Sequence, residues 1–117
     1  MNIEEFRDYC LKKNAVTEHF PFDDKTLVFK VGGKMFALAD VEDFSSINLK
    51  CDPERAIELR EVYHGVKPGY HMSKVHWNTV AVYEDVPESL ILELIDHSYQ
   101  LIVNSLSKKI KNELSIG

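Results

Sequence analysis

Apolar positions along the chain fall first on a helical and then on an extended period. Ile3, Phe6 and Cys10 recur at helical spacing, with Tyr9 beside them and Arg7, Lys12 and Lys13 on the wetter side. Asn2 and Glu5 stand three residues apart at the start, the spacing of a capping box. Asn14 tolerates the left-handed turn that would end this helix. Ala15–Phe20 then reads as a short strand, closed by Pro21 and the Asp23-Asp24 pair. Thr26–Val31 is β-branched and aromatic and reads as a second strand. Gly32-Gly33 supplies a two-residue hairpin turn, because both positions accept positive φ. Lys34–Ala39 is the returning strand. Strict alternation places Lys34, Phe36 and Leu38 on one face and Met35, Ala37 and Ala39 on the other.

A polar loop over residues 40–46 leads to Ile47, Leu49 and Cys51, which alternate with Asn48 and Lys50 as in a half-buried strand. Asp52-Pro53-Glu54 is a helix start, with an acidic cap, proline at the first helical position and an acid beside it. Ala56, Leu59 and Tyr63 make that helix's inner stripe, and Gly65 is placed to end it. Pro68-Gly69 marks a turn. In the strand over His76–Tyr83, Trp77, Thr79, Ala81 and Tyr83 face one way, and His76, Asn78, Val80 and Val82 the other. Asp85 and Pro87 open a last helix reaching about Leu106. Its wide stripe of Leu90, Ile91, Leu94, Ile95, Leu101 and Ile102 makes it the main core element. Residues 107–117 form a polar, lysine-bearing tail, a helical extension expected to fray. The predicted architecture is α+β: a single two-layer domain over 1–117, with an antiparallel sheet and helices packed on one face.

Composition sharpens the picture at two places. The chain has 117 residues, 44% hydrophobic and 28% charged, enough for one core without staples. Its formal net charge of -5 argues against tight nucleic-acid binding over the whole surface, but leaves room for a local basic face. Two stretches lack acids. One runs from Lys25 to Ala39 and carries Lys25, Lys30 and Lys34. The other lies between Val62 and Tyr83 and holds the only tryptophan, Trp77, together with His71 and His76. Cys10 and Cys51 form no C-x-x-C pair and read as buried hydrophobes in a reducing compartment. No apolar run suits a secretory signal or a membrane span, so cytoplasm is the expected location.

The ordered set Pro21-Phe22, the Val31–Leu38 hairpin, Leu49-Lys50-Cys51-Asp52-Pro53, Pro68-Gly69-Tyr70-His71-Met72, Lys74, His76-Trp77-Asn78-Thr79-Val80 and Asp96-His97-Ser98-Tyr99 resembles the MmcQ/YjbR family of small bacterial proteins. The resemblance runs from Phe6 to about Lys109. It implies a CyaY-like fold, related in shape to bacterial frataxin, and a "double wing" DNA-binding motif. One departure is Val75, where the family often carries a basic residue.

Lys34, Lys50, Lys67 and Lys74, with His71 and His76, would form one cationic face if the hairpin lay next to the later strand. Tyr70 or Trp77 would then stack on a base, with Asn78 alongside. Lysines on strand edges also serve simply to prevent aggregation, and Trp77 also reads as core. Metal chemistry is poorly supported: His64, His71 and His76 are close in sequence, but both cysteines are distant. The acids Glu4, Glu5, Asp8 and Glu18 are a thin version of an iron-binding ridge and read better as a solvated face. Cys51 with His71 or His76 is a formal nucleophile–base pair, yet Cys51 shares an inward face with Ile47 and Leu49. His97 reads as a helix-flank histidine, and no phosphate loop or nucleophile elbow occurs. The expectation is therefore a monomeric, non-enzymatic protein without cofactor or metal. Its ligand would be DNA or another phosphate-bearing partner, met through Lys34, Lys50, Lys67, Tyr70, His71, Lys74, His76, Trp77 and Asn78. The rival is a small-molecule or protein-binding module using the same face, with Tyr70, Trp77 and Tyr83 as aromatic anchors.

Overall fold

The capping box forms as the spacing requires. In a computed structural model covering residues 1–117, the Asn2 side chain accepts from the Glu5 amide at 2.8 Å and the Glu5 carboxylate accepts from the Asn2 amide at 3.0 Å. Helix α1 (Ile3–Leu11) follows, burying Phe6 and Cys10. The left-handed residue after it is Ala15 at φ +62, one position beyond Asn14. Four strands come next: β1 (Val16–His19), β2 (Thr26–Val31), β3 (Lys34–Asp40) and β4 (Ser46–Lys50). Helix α2 (Pro53–Val62) precedes β5 (Val66–Pro68) and β6 (Trp77–Ala81), and α3 (Glu88–Ser105) and α4 (Lys108–Glu113) finish the chain. The strands make one antiparallel sheet in the order β1-β2-β3-β4-β6-β5. The tail is thus ordered as α4, capped by the Ser107 hydroxyl accepting from the Ile110 amide at 3.2 Å.

All helices pack on one sheet face. That side gathers 23 buried hydrophobic residues, against three on the other, so one face holds the core and the other is left free of helices. Phe6 meets Phe29 edge-on with centroids 5.5 Å apart, and Phe36 meets Tyr99 likewise at 5.4 Å. No helix is long and apolar enough to cross a membrane.

Gly32 and Gly33 take φ +59 and +80, the pair of positive values a two-residue hairpin needs. The hairpin then departs from simple alternation. Phe29 pairs with Ala37 while Lys30 pairs with Met35, so Phe36 is an extra, bulged residue. Phe36 accordingly joins Ala37 and Ala39 in the main core, and Leu38 turns to the opposite face with Val28. A bulged carbonyl lacks its ladder partner. Ser98, wholly buried on α3, supplies one: its hydroxyl donates to the Phe36 carbonyl at 2.5 Å and accepts from the Lys50 amide at 2.9 Å. Asp96 and Tyr99, on either side of Ser98 in α3, tie α1 down. Asp96 accepts from Tyr9 at 2.7 Å and pairs with Lys13, and the Tyr99 hydroxyl donates to the Asn14 carbonyl at 2.7 Å.

Two caps are used differently from expectation. Helix α2 starts on Asp52, which accepts from the Arg55 amide at 3.2 Å, but it ends at Val62 with Tyr63 extended. Gly65 serves another purpose. The Asp85 carboxylate accepts from the His64 and Gly65 amides, both at 2.7 Å, and a Cβ on Gly65 would lie 3.0 Å from that carboxylate. With Asp85 so occupied, α3 begins after Pro87 without a side-chain cap.

A candidate binding cleft on the helix-free sheet face

Cross-strand pairing lays one row of side chains across all six strands of the helix-free face: His19, Val28, Leu38, Asn48, Thr79 and Lys67. Towards one end lie Lys30 opposite Met35 and Lys50 opposite Trp77. Towards the other lie Thr26 opposite Asp40 and Ser46 opposite Ala81. The strands' acids are Glu18, which pairs with Arg7 of α1 on the helix side, and Asp40.

The β5–β6 connection folds back over this face. Trp77, only 8% exposed, packs with Val28 and Leu38, and Met35 and Met72 complete the cluster. Gly69 permits the return, since a Cβ there would sit 2.7 Å from that of Trp77. The Gly69 amide donates to the Trp77 carbonyl at 2.8 Å, and the Tyr70 amide donates to the Thr79 hydroxyl at 2.9 Å. From beneath, Arg60 of α2 clamps the connection. Its guanidinium donates to the Asn78 carboxamide oxygen at 2.7 Å, to the Trp77 carbonyl at 3.3 Å and to the Lys74 carbonyl. So held, His71 sits at φ +58, a conformation costing a non-glycine residue on the order of 1 kcal/mol or more, with its ring 4.1 Å from that of Tyr70.

Between this connection and the sheet lies a cleft of about 480 Å³. Leu38, Asn48, Thr79, Ser46, Thr26, Ala39 and Asp40 line it from the sheet, Tyr70, His71 and Met72 from the β5–β6 connection, and Phe22 from the β1–β2 connection. Thr79 donates to the Asn48 oxygen at 2.5 Å, which fixes the Asn48 side chain and leaves its amide nitrogen without a protein partner.

The sequence-predicted residues divide. Lys50, Lys67, Tyr70 and His71 stand on or over the helix-free face. Lys74 and His76 are exposed on the connection, with the Lys74 amine donating to the Gly69 carbonyl at 3.0 Å. Trp77 contributes from within, as packing. Asn78 is 2% exposed on the core side, bonded to Arg60 and to the Ala56 carbonyl at 3.4 Å, and does not reach the helix-free face. Lys34 does not lie beside β6. β4 intervenes, and the Lys34 amine donates to Ser105 of α3 at 3.3 Å. Lys30 replaces it on the helix-free face. The residues sequence reasoning missed here are Phe22, Asp40, Asn48 and Thr79. Asn48 and Thr79 were legible as outward positions of alternating strands, whereas no local signal brings Phe22 over them.

Ion pairing differs between the two sides. The ion pairs use Arg7, Lys13, Lys25, Arg55 and the N-terminal amine. Lys30, Lys50 and Lys67 have no acidic partner within pairing distance. Ten of the nineteen acids lie on the helices, among them Glu4, Glu5 and Asp8 on α1, Glu54, Glu58 and Glu61 on α2, and Glu88, Glu93 and Asp96 on α3. Burial pushes the Cys51 thiol up to about 11, so it stays protonated at neutral pH and is a poor nucleophile. The histidines are dispersed, and no three of His, Cys, Asp and Glu gather into a set able to hold a metal ion.

The geometry defines a two-layer α+β domain with a loop-walled cleft on its helix-free sheet face. The family model described as YjbR matches residues 11–101, and the chain belongs to that family. It is 38% identical over 99 residues to YbdF of Escherichia coli O157:H7, covering 84% of this chain and 81% of that one. It is 36% identical over 110 residues to YjbR of Escherichia coli K12, covering 93% of each. Both relatives are described as uncharacterised. A crystal structure of a Deinococcus radiodurans protein with a DUF419 domain matches with a TM-score of 0.93 at 39% identity, over 99% of this chain and 89% of that one. A Pseudomonas syringae crystal structure matches with a TM-score of 0.74 at 31% identity, over 87% and 99%.

Proposed function

We propose that this chain is a non-enzymatic binding protein whose helix-free sheet face takes DNA or another phosphate-bearing polyanion. The observation that supports this reading is the charge distribution: Lys30, Lys50 and Lys67 stand unpaired on that face, while ten of the chain's nineteen acids lie on the helices of the other side. Such a distribution repels a polyanion from one side and orients it onto the other. The lysines meet phosphates, and His71 and His76 donate hydrogen bonds from the connection. Tyr70, 68% exposed, offers a ring for stacking, which the buried Trp77 does not.

Three phosphate contacts give a slope of log K against log salt near -2.7, at roughly -0.9 per neutralised phosphate. The test is anisotropy of a labelled duplex at two salt concentrations. The Lys50→Glu, Lys67→Glu double variant is expected to abolish binding. Unchanged affinity in that variant removes this face from consideration. A second reading, a small-ligand site, is favoured by the cleft of about 480 Å³, which falls within the usual range for such sites.

A further inference from the structure

We infer that the cleft is a nucleobase pocket, receiving one unpaired base whose phosphate stays outside on Lys67. The inference rests on the polyanion reading for the phosphate but makes its own claim about the cleft. The polar atoms left free inside are of mixed character. The Asn48 amide nitrogen is a donor, because its oxygen is engaged by Thr79. Asp40 accepts from the Glu42 and Asp43 amides through one oxygen, at 2.8 and 2.9 Å, and its second oxygen is an acceptor without a partner. The Ser46 hydroxyl, which makes no bond within the protein, serves as either.

No lysine or arginine lines the cleft, and the Asp40 carboxylate does, so a phosphate would be repelled there. A planar, uncharged group with donors and acceptors along its edge fits instead. Its apolar faces would meet rings. Phe22 is 64% and Tyr70 68% exposed, and both border the cleft although they come from loops at opposite ends of the strands. Solvent-exposed rings flanking a polar floor match the way proteins hold splayed-out bases, by stacking on the faces and hydrogen bonding on the edge. Lys67, cross-strand partner of Thr79, stands at the rim on the same sheet face, where the attached phosphate would emerge. A volume of about 480 Å³ admits a nucleotide, and a base of a duplex would have to leave its stack to enter.

Two sources carry this chemistry, a free nucleotide and an unpaired nucleotide within a strand. The experiment compares a single-stranded oligonucleotide with an abasic strand of equal length and phosphate count. In parallel it compares adenosine and thymidine monophosphates with ribose 5-phosphate, by calorimetry at low salt. The base-bearing strand is expected to bind about tenfold or more tightly than the abasic one, from stacking alone. The Phe22→Ala, Tyr70→Ala double variant should erase that ratio. Both side chains are exposed, so the core is untouched, and an unchanged melting temperature verifies the fold. Equal affinity for base-bearing and abasic strands overturns the pocket while leaving the polyanion reading standing. If no strand binds, the polyanion reading fails, and the small-ligand arm decides alone. Base-dependent binding of a monophosphate then supports the pocket with a free nucleotide as ligand, and its absence overturns it.

Discussion

Replacing Arg60 with alanine should both destabilise the protein and loosen the wall of the cleft. One guanidinium serves three acceptors, and one of them, the Asn78 carboxamide oxygen, is buried with its residue 2% exposed. Losing a charge-assisted hydrogen bond costs about 1.5–3 kcal/mol, and an orphaned buried acceptor about 1–3 kcal/mol. These terms overlap, and the freed space admits water to the Lys74 and Trp77 carbonyls, so the net loss should be about 3 kcal/mol. For a domain of this size that corresponds to roughly 12 °C in Tm, at about 4 °C per kcal/mol. Urea unfolding followed by Trp77 emission measures it. Because Trp77 is the only tryptophan and packs against the clamped connection, its native emission should also shift to the red. Arg60→Lys keeps the charge but not the fork, and should recover less than half of the loss. A double-mutant cycle with Asn78→Ala should give a coupling of about 1 kcal/mol or more. A loss under about 0.5 kcal/mol, the size of an ordinary surface change, would refute the clamp.

Other consequences are equally specific. Ser98→Ala strips the Phe36 carbonyl and the Lys50 amide of their partner, and chemical denaturation should report a loss of about 2–4 kcal/mol. Gly32→Ala and Gly33→Ala both force positive φ on a side chain, but only at Gly32 does the new Cβ meet Leu106, at 2.6 Å. Calorimetry should therefore find Gly32→Ala the more damaging, by about 1 kcal/mol or more, and equal losses would contradict the close approach. Burial holds the His97 pKa below its ordinary value of 6.5, and its ring nitrogen accepts from the Asp52 amide at 3.2 Å. The folded state thus takes up a proton less readily than the unfolded one. This contribution to stability is fully present above about pH 6.5 and is lost as pH falls through the lower folded value. His97→Gln should flatten the stability profile in that window.

Much of the architecture was legible because local rules agreed with one another. The Gly32-Gly33 turn, the Asp52-Pro53 start and the stripe along α3 each have a backbone or packing reason contained within a few residues. Misreadings arose where a distant partner overrode the local rule. Alternation fails at Phe36 because a bulge is made tolerable by Ser98, 62 positions away. Asp85 is a good helix cap on sequence grounds, yet two amides from the α2–β5 turn claim it first. The same limit governs the cleft. Lys67, Tyr70 and His71 were marked by their polar, acid-free neighbourhood, and Lys50 by alternation. Lys34 was misplaced because its strand neighbours could not be known without the sheet order. Phe22 was invisible as a cleft residue, since only the tertiary course of the β1–β2 connection brings it there.

The Asp96–Tyr99 segment illustrates why a family motif need not mark a site. Its members hold α1, β3 and β4 to α3, and none of them lines the cleft. The positions of the proposed binding face lie instead on the opposite side of the sheet, where side chains are free of such duties.

The central claim is that ligands meet the protein on its helix-free sheet face. Amide chemical-shift mapping during titration with a single-stranded oligonucleotide at low salt tests it most directly. We expect the shifted resonances to cluster at Lys30, Lys50, Lys67, Tyr70–Met72 and Thr79, with the helices silent. Shifts concentrated on α1, α2 or α3, or none at all, would contradict the account.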